Sequence, residues 1–161
     1  MAAVPRARVQ ALQAALPDRL AGTDLRVRSF DGDNLSDLRA SSYAEFVADG
    51  RATFDFLGRS GPGLSVAVAR APELDIAIAG VVLAGIDGGQ VKNEWLTSAE
   101  ESAGEEIAWQ MRSVGGKDVT VGSNPAFEAL GPIYLYSVGD QLFFVQTSDE
   151  DLAGKALRKL P

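Results

Sequence analysis

The longest apolar passage of the chain, from Gly63 to Ile86, predicts two strands joined by a tight turn. With Ala71–Glu73 as the loop, Val68 lies opposite Ile76 in the predicted pairing. One face of this hairpin then carries the bulky side chains of Leu64, Val66, Val68, Leu74, Ile76 and Ile78. The other face carries only the small side chains of Ser65, Ala67, Ala69, Ala77 and Ala79.

This predicted small-residue face suggests that another element approaches the hairpin closely. Alanine is a poor strand former, and a strand that faces water usually carries Thr, Lys, Glu or Arg instead. Two alternatives follow: a helix of this chain packs there, or a second subunit does, most simply in a two-fold homodimer. The second alternative makes an interface of Ala67, Ala69, Ala77 and Ala79.

Amphipathic helical segments alternate with strands along the rest of the chain. Helical spacing of apolar residues predicts helices over residues 5–16, 35–47 and 90–102, and alternation predicts a strand over 22–30. Two glycine-containing turns, Gly115–Gly116 and Gly139–Asp140, predict hairpins over 107–122 and 133–147. Ser148 and Asp151 have capping-box spacing ahead of a closing helix. The buried side of that helix is predicted to hold Leu152, Ala156, Leu157 and Leu160.

These elements predict an α+β fold in one domain over residues 1–161. We expect a single, mostly antiparallel sheet of about six or seven strands, with helices chiefly on one face. The pattern G-x-D-[L/V]-x-V occurs at Gly22 and again at Gly116, and a hairpin and a helix follow each copy. An internal two-fold repeat of residues 18–103 and 107–161 is one interpretation, and a chance match is the other.

The second hairpin carries aromatic side chains on one face. Pairing around Gly139–Asp140 places Tyr136 opposite Phe143 and Tyr134 opposite Val145. Either loops or the N-terminal helix cover this face, or Tyr134 and Tyr136 belong to a contact surface for a partner.

The segments GGKDVTVG (115–122) and GPIYLYSVGDQLFFVQTSDEDLAGKALRKLP (131–161) resemble the ends of uncharacterised domains in exported bacterial proteins of high-GC genomes. Residues 15–27, ALPDRLAGTDLRV, resemble the start of such domains more loosely. The resemblance implies no particular activity. Residues 1–17 contain no continuous apolar stretch of a signal peptide, so we expect a cytoplasmic protein, or an exported one if this is a processed domain.

Composition excludes several classes of function. The chain contains no cysteine and no histidine, which excludes disulfides, thiolate nucleophiles, and Ser-His-Asp or Cys-His catalysis. The net charge of −7 argues against nucleic acid as a partner. The apolar run from Leu74 to Ile86 is short and contains Asp75, so no membrane span is predicted. The glycine-rich stretches at 58–63 and 85–89 lack phosphate-loop spacing, and no cofactor is expected.

Two acidic stretches are candidates for metal or catalytic sites. Residues 31–37 begin like a calcium loop, but Leu35 occupies a ligand position, Ser36 stands where the loop needs glycine, and Ser42 stands where it needs a bidentate glutamate. A capped turn therefore fits better. A second stretch is dense in carboxylates and is predicted to face solvent; it contains Glu94, Glu100, Glu101, Glu105 and Glu106.

Two functions of different classes remain. The first is a non-catalytic binding or assembly module, whose partner is another protein or a second copy of the chain. The alternative is a carrier with an apolar pocket between sheet and helices, lined by Phe46, Phe54, Trp95, Tyr134 and Phe143. An enzyme is not expected, because no carboxylate, lysine or tyrosine is singled out for catalysis.

Overall fold

The computed structural model describes residues 10–31, 64–71, 73–103, 108–123 and 131–161. The helices in these ranges are α1 (residues 10–15), α2 (Gly88–Ala103) and α3 (Glu150–Lys159). The strands in these ranges are β1 (Arg19–Leu20), β2 (Thr23–Asp24), β3 (Arg26–Asp31), β4 (Leu64–Arg70), β5 (Ala77–Leu83), β6 (Ala108–Val114), β7 (Lys117–Ser123), β8 (Ile133–Val138) and β9 (Gln141–Gln146).

Seven of the strands form one antiparallel sheet in the order β3-β4-β5-β9-β8-β7-β6. Strands β1 and β2 form a separate short hairpin. The pairing of β5 with β9 joins strands from the two halves of the chain, so the described strands β3 to β9 share one continuous sheet. The predicted α+β class and mostly antiparallel sheet are confirmed.

Helices cover both faces of the sheet. The face that carries Ala67, Ile78 and Phe143 packs against α1 and α3 and is called the α1/α3 face here. The opposite face, called the α2 face, carries Phe144, whose ring centroid lies 5.0 Å from that of Trp95 in α2. Two of the three described helices therefore lie on one side. Solvent is excluded from the centre of both faces, since Phe143 and Phe144 are 0% and 3% exposed.

The predicted register of the β4–β5 hairpin is wrong by three residues. Val68 pairs with Ala79 instead of Ile76, because β4 ends at Arg70 and β5 begins only at Ala77. An odd shift exchanges the two faces of one strand relative to the other. The predicted separation into a bulky face and a small-residue face is therefore wrong. Val66 and Val68, predicted on the bulky face, share the α2 face with Ala77 and Ala79, predicted on the small-residue face.

A long-range tether accounts for the longer connection between β4 and β5. The backbone carbonyl of Asp75 accepts a hydrogen bond from the Thr147 hydroxyl at 2.7 Å, and its carboxylate accepts one from the Ser148 hydroxyl at 3.2 Å. Asp75 is thereby bound to the segment between β9 and α3. Ile76 consequently lies outside the ladder, although it is buried in the core of the α1/α3 face.

Small residues of β4 and β5 allow α1 to approach the sheet. Ala67 pairs with Gly80, and a methyl group on Gly80 would lie 2.8 Å from Cδ1 of Leu12 in α1. Ala67 and Ala69 belong to the same core cluster as Leu12. For Ala67 and Ala69, this arrangement agrees with the alternative in which a helix of this chain packs on the small residues.

The glycine-turn hairpins are confirmed. Tyr136 pairs with Phe143 and Tyr134 with Val145, as predicted around Gly139–Asp140, and β6 and β7 pair around Gly115–Gly116. Helix α2 confirms the prediction over 90–102. All four residues predicted for the buried side of the closing helix are buried, three of them in α3 and Leu160 directly after it.

The cap of α3 lies one residue later than predicted. The Asp149 carboxylate accepts hydrogen bonds from the backbone N–H groups of Asp151 and Leu152 at 3.0 and 3.2 Å. Ser148 does not cap the helix, because its hydroxyl is bonded to Asp75.

The internal repeat is not shown. The orders β3-β4-β5-α2 and β7-β8-β9-α3 agree, but α2 and α3 pack on opposite faces of the sheet. Several predictions lie outside the described residues: the helix over 35–47, the calcium-like turn beyond Asp31, and Glu105 and Glu106 of the acidic stretch.

Candidate functional site

The predicted apolar pocket is not assembled by those of its residues that the structure describes. Trp95 lies on the α2 face and Phe143 on the α1/α3 face, so the sheet separates them. Tyr134 shares the face of Phe143. Phe46 and Phe54 lie outside the described residues.

The side chains of the predicted alanine interface are covered by the chain itself. Ala67 and Ala69 are fully buried, and Ala77 and Ala79 are 3% and 2% exposed. These side chains are therefore buried within the single chain.

The tyrosine strip on β8 packs beneath the C-terminal segment. Tyr134 is buried, and burial raises the pKa of its phenol above the usual value of 10.0, with the negative charge of Glu150 raising it further. Tyr136 is half-buried; its ring stacks on Phe143, and its hydroxyl donates to the Pro161 carbonyl at 2.6 Å. The Lys117 ammonium lies 5.4 Å from the centre of the Tyr136 ring.

The two edges of the sheet differ in charge. Among the described strands, β3 forms one edge and carries the exposed cations Arg26 and Arg28, which oppose pairing with a further strand. Strand β6 forms the other edge, and no described strand pairs with its outer side. It reads Ala-Trp-Gln-Met-Arg-Ser-Val, with no proline and one charge, and that charge, Arg112, is paired with Glu150 of α3.

The turn after β6 determines which backbone groups face outward. Gly115 and Gly116 have φ values of 62° and 79°, as a type I′ two-residue turn requires. In such a turn the Val114 carbonyl accepts from the N–H of Lys117, so the backbone groups of Val114 point toward β7. Along an antiparallel strand, the backbone groups of successive residues point alternately toward one neighbouring strand and toward the other side. The backbone N–H and C=O groups that point away from the sheet are therefore those of Trp109, Met111 and Ser113.

Met111 adds an apolar contact to this open edge. Its side chain is 72% exposed, and it is the one large hydrophobic residue exposed among those the structure describes. Its sulfur lies 3.2 Å from the Thr120 hydroxyl of β7, which can donate to it. An exposed methionine on an edge strand is a feature of adaptable binding surfaces.

Contacts on both faces hold β6 in place. On the α2 face the Trp109 indole N–H donates to the Glu100 carboxylate at 3.1 Å, and its ring covers Gly122, where a methyl group would lie 2.1 Å from the ring. The Trp109 and Trp95 rings meet edge to face at 6.0 Å. On the other face Arg112 binds Glu150. The strand is thus ordered before any partner arrives, which lowers the entropic cost of binding.

The described residues contain no cluster of three or more acidic side chains that could hold a metal ion. None of the helices in the described ranges has the length and apolarity needed to cross a membrane. No family model, no curated protein and no solved structure matches this chain. Inferences about function therefore depend on the geometry of this chain alone.

A cleft of about 760 Å³ lies where α1 meets β3. Its wall combines the apolar side chains of Leu16, Leu25 and Val27 with the polar ones of Gln10, Gln13 and Asp18. Sites for small molecules in proteins have volumes of this order.

Sequence reasoning predicted strand β6 but not its position at the end of the sheet. The single charge between Ala108 and Val114 was the available signal, since edge strands usually carry more charge. The position of β6 in the sheet depends on the pairing of β5 with β9, which no local pattern reveals.

Proposed function

We propose that this protein is a non-catalytic assembly module that binds an extended protein segment along the outer edge of β6. The observation that supports it most concerns the outward backbone groups of Trp109, Met111 and Ser113, with which no described strand pairs, on a strand that carries one charge and no proline. The incoming strand continues the sheet, and its side chains on the α2 face cover Met111.

Backbone pairing supplies affinity in this mode, and side chains supply selectivity. Each residue with outward groups offers one donor and one acceptor, and each hydrogen bond contributes about 0.5–1.5 kcal/mol net. A partner residue beside Met111 is expected to be apolar. The residue beside Arg112 is expected to be uncharged or acidic, because like charges directly opposite each other destabilise a strand pair.

A random linear peptide library panned against the purified protein tests the proposal. We expect enriched peptides to slow amide hydrogen exchange at Trp109, Met111 and Ser113 in NMR spectra. Peptides that bind without protecting these amides would contradict binding at this edge.

Two variants at one position provide the matched control. Ser113→Pro removes an outward N–H that makes no bond to β7, and proline is tolerated at such edge positions. We expect it to weaken peptide binding by about tenfold or more, since a hydrogen bond is lost and the ring obstructs the edge. Ser113→Ala keeps the N–H and should bind as the wild type does.

A carrier of a small hydrophobic ligand is the second candidate function, and the cleft beside Leu16, Leu25 and Val27 favours it. Equilibration with a lipid extract followed by native mass spectrometry tests it. A defined bound mass that disappears in Leu25→Glu would support the carrier, and a spectrum of apoprotein alone would contradict it.

A further inference from the structure

We propose that the strand added to β6 is the β6 strand of a second copy of this chain, antiparallel to the first about a two-fold axis at Met111. This inference rests on the proposed function of the β6 edge and specifies its occupant. The pairing joins two sheets edge to edge, with the α2 faces of both copies on the same side.

Hydrogen-bond direction restricts the register of such a pair. Outward-facing groups occur at Trp109, Met111 and Ser113, and an antiparallel ladder bonds such residues only to each other. An axis at Met111 pairs Met111 with its own copy and Trp109 with Ser113 of the second copy. Every outward donor and acceptor then finds a partner, whereas a shift by one residue leaves outward groups opposite inward ones.

Charge selects among the registers that remain. With the axis at Met111, Arg112 lies opposite Gln110 of the second copy, so the single charge of the strand meets a neutral side chain. An axis at Arg112 would place two arginines directly opposite each other, which destabilises strand pairs. An axis at Gln110 leaves Ser113 beyond the paired segment. The Met111 register alone pairs all seven residues of β6.

Side chains on the α2 face agree with this register. The two Met111 side chains become neighbours across the axis, since paired residues of this kind have Cα atoms about 5.5 Å apart. Each then covers the other, which removes the exposed apolar surface of the single chain. The contact area of one strand pair is small, so the dimer should depend on protein concentration.

Single-cysteine crosslinking tests the axis, because the chain contains no cysteine of its own. Met111→Cys places two thiols opposite each other at a separation that a disulfide spans. Ser113→Cys is the matched control on the same strand and the same face. Its two copies lie about four residues, or ~14 Å, apart along the strands. Under catalysed air oxidation we expect the Met111→Cys dimer to form about tenfold faster than the Ser113→Cys dimer. Equal rates, or a faster Ser113→Cys reaction, would overturn the register.

Sedimentation of the wild type and of Ser113→Pro separates this inference from the proposed function. We expect the wild type to dimerise with increasing concentration and Ser113→Pro to remain a folded monomer. A wild type that stays monomeric at every concentration overturns the second copy as occupant, whereas peptide binding at β6 would still support the edge as a binding site. A dimer unaffected by Ser113→Pro also overturns the inference, because the contact then lies elsewhere.

Discussion

The contact between α1 and the sheet makes Gly80 the position where one added methyl group is most informative. In Gly80→Ala the new carbon would lie 2.8 Å from Cδ1 of Leu12 and 3.1 Å from the ring of Phe143, and both of these side chains are fully buried. Replacing glycine by alanine in a strand stabilises the folded state by about 0.5–1 kcal/mol, and burying the added methyl group stabilises it by about 0.8 kcal/mol more. Overpacking of a tight core costs about 1–3 kcal/mol.

Leu12 and Phe143 are both fully buried, so the overpacking cost should lie in the upper part of that range, at about 2.5 kcal/mol. Set against gains of about 1.5 kcal/mol together, we expect Gly80→Ala to lower the free energy of unfolding by about 1 kcal/mol, measured by urea denaturation. Shortening the neighbour tests the cause: Leu12→Val removes the clashing methyl group, so the double variant should be more stable than the sum of the single changes predicts, by about 0.5–1 kcal/mol. A stabilised Gly80→Ala, or strictly additive effects, would refute this close approach of α1.

Three further predictions concern other parts of the structure. Asp149→Ala should cost about 1 kcal/mol in urea melts because it removes the cap of α3, and an unchanged stability would contradict the cap at Asp149. Ala21 has a φ of 51°, so Ala21→Gly should raise stability by about 0.5–1 kcal/mol, and a lowered melting temperature would contradict that strain. Burial raises the pKa of Tyr134 in the folded state above 10.0, so its contribution to stability is complete below pH 10 and is lost as the pH rises through the folded value. Urea melts from pH 9 to 11 should therefore lose less stability in Tyr134→Phe than in the wild type, and equal losses would contradict the raised pKa.

Turn chemistry explains which parts of the fold the sequence predicts. The Gly115–Gly116 and Gly139–Asp140 turns are two-residue loops that determine strand register locally, and both hairpins pair as expected. Between β4 and β5 no such turn occurs, and the register depends on hydrogen bonds from Thr147 and Ser148 to Asp75. Those partners are distant in sequence, which is why the small-residue face was predicted wrongly.

The candidate site was harder to predict than the fold. The strand signal of β6 is local, but its position at an edge follows from the order of all seven strands. The predicted pocket combined Trp95 with Phe143, because residue type alone does not show which face of a sheet a helix covers. The pairing of Tyr136 with Phe143 was predicted correctly. A two-residue turn determines which residues of its two strands lie opposite each other, and hence which side chains lie on the same face.

Amide hydrogen exchange along β6 tests directly whether the outer edge of this strand is open. In protein dilute enough for the proposed dimer to dissociate, we expect fast exchange at Trp109, Met111 and Ser113 and slow exchange at Gln110, Arg112 and Val114. Slow exchange at all of these residues under the same conditions would show that the edge is already covered. Fast exchange at Gln110 and Arg112 with protection at Met111 would show that the outward groups have been assigned to the wrong residues, and would contradict the account.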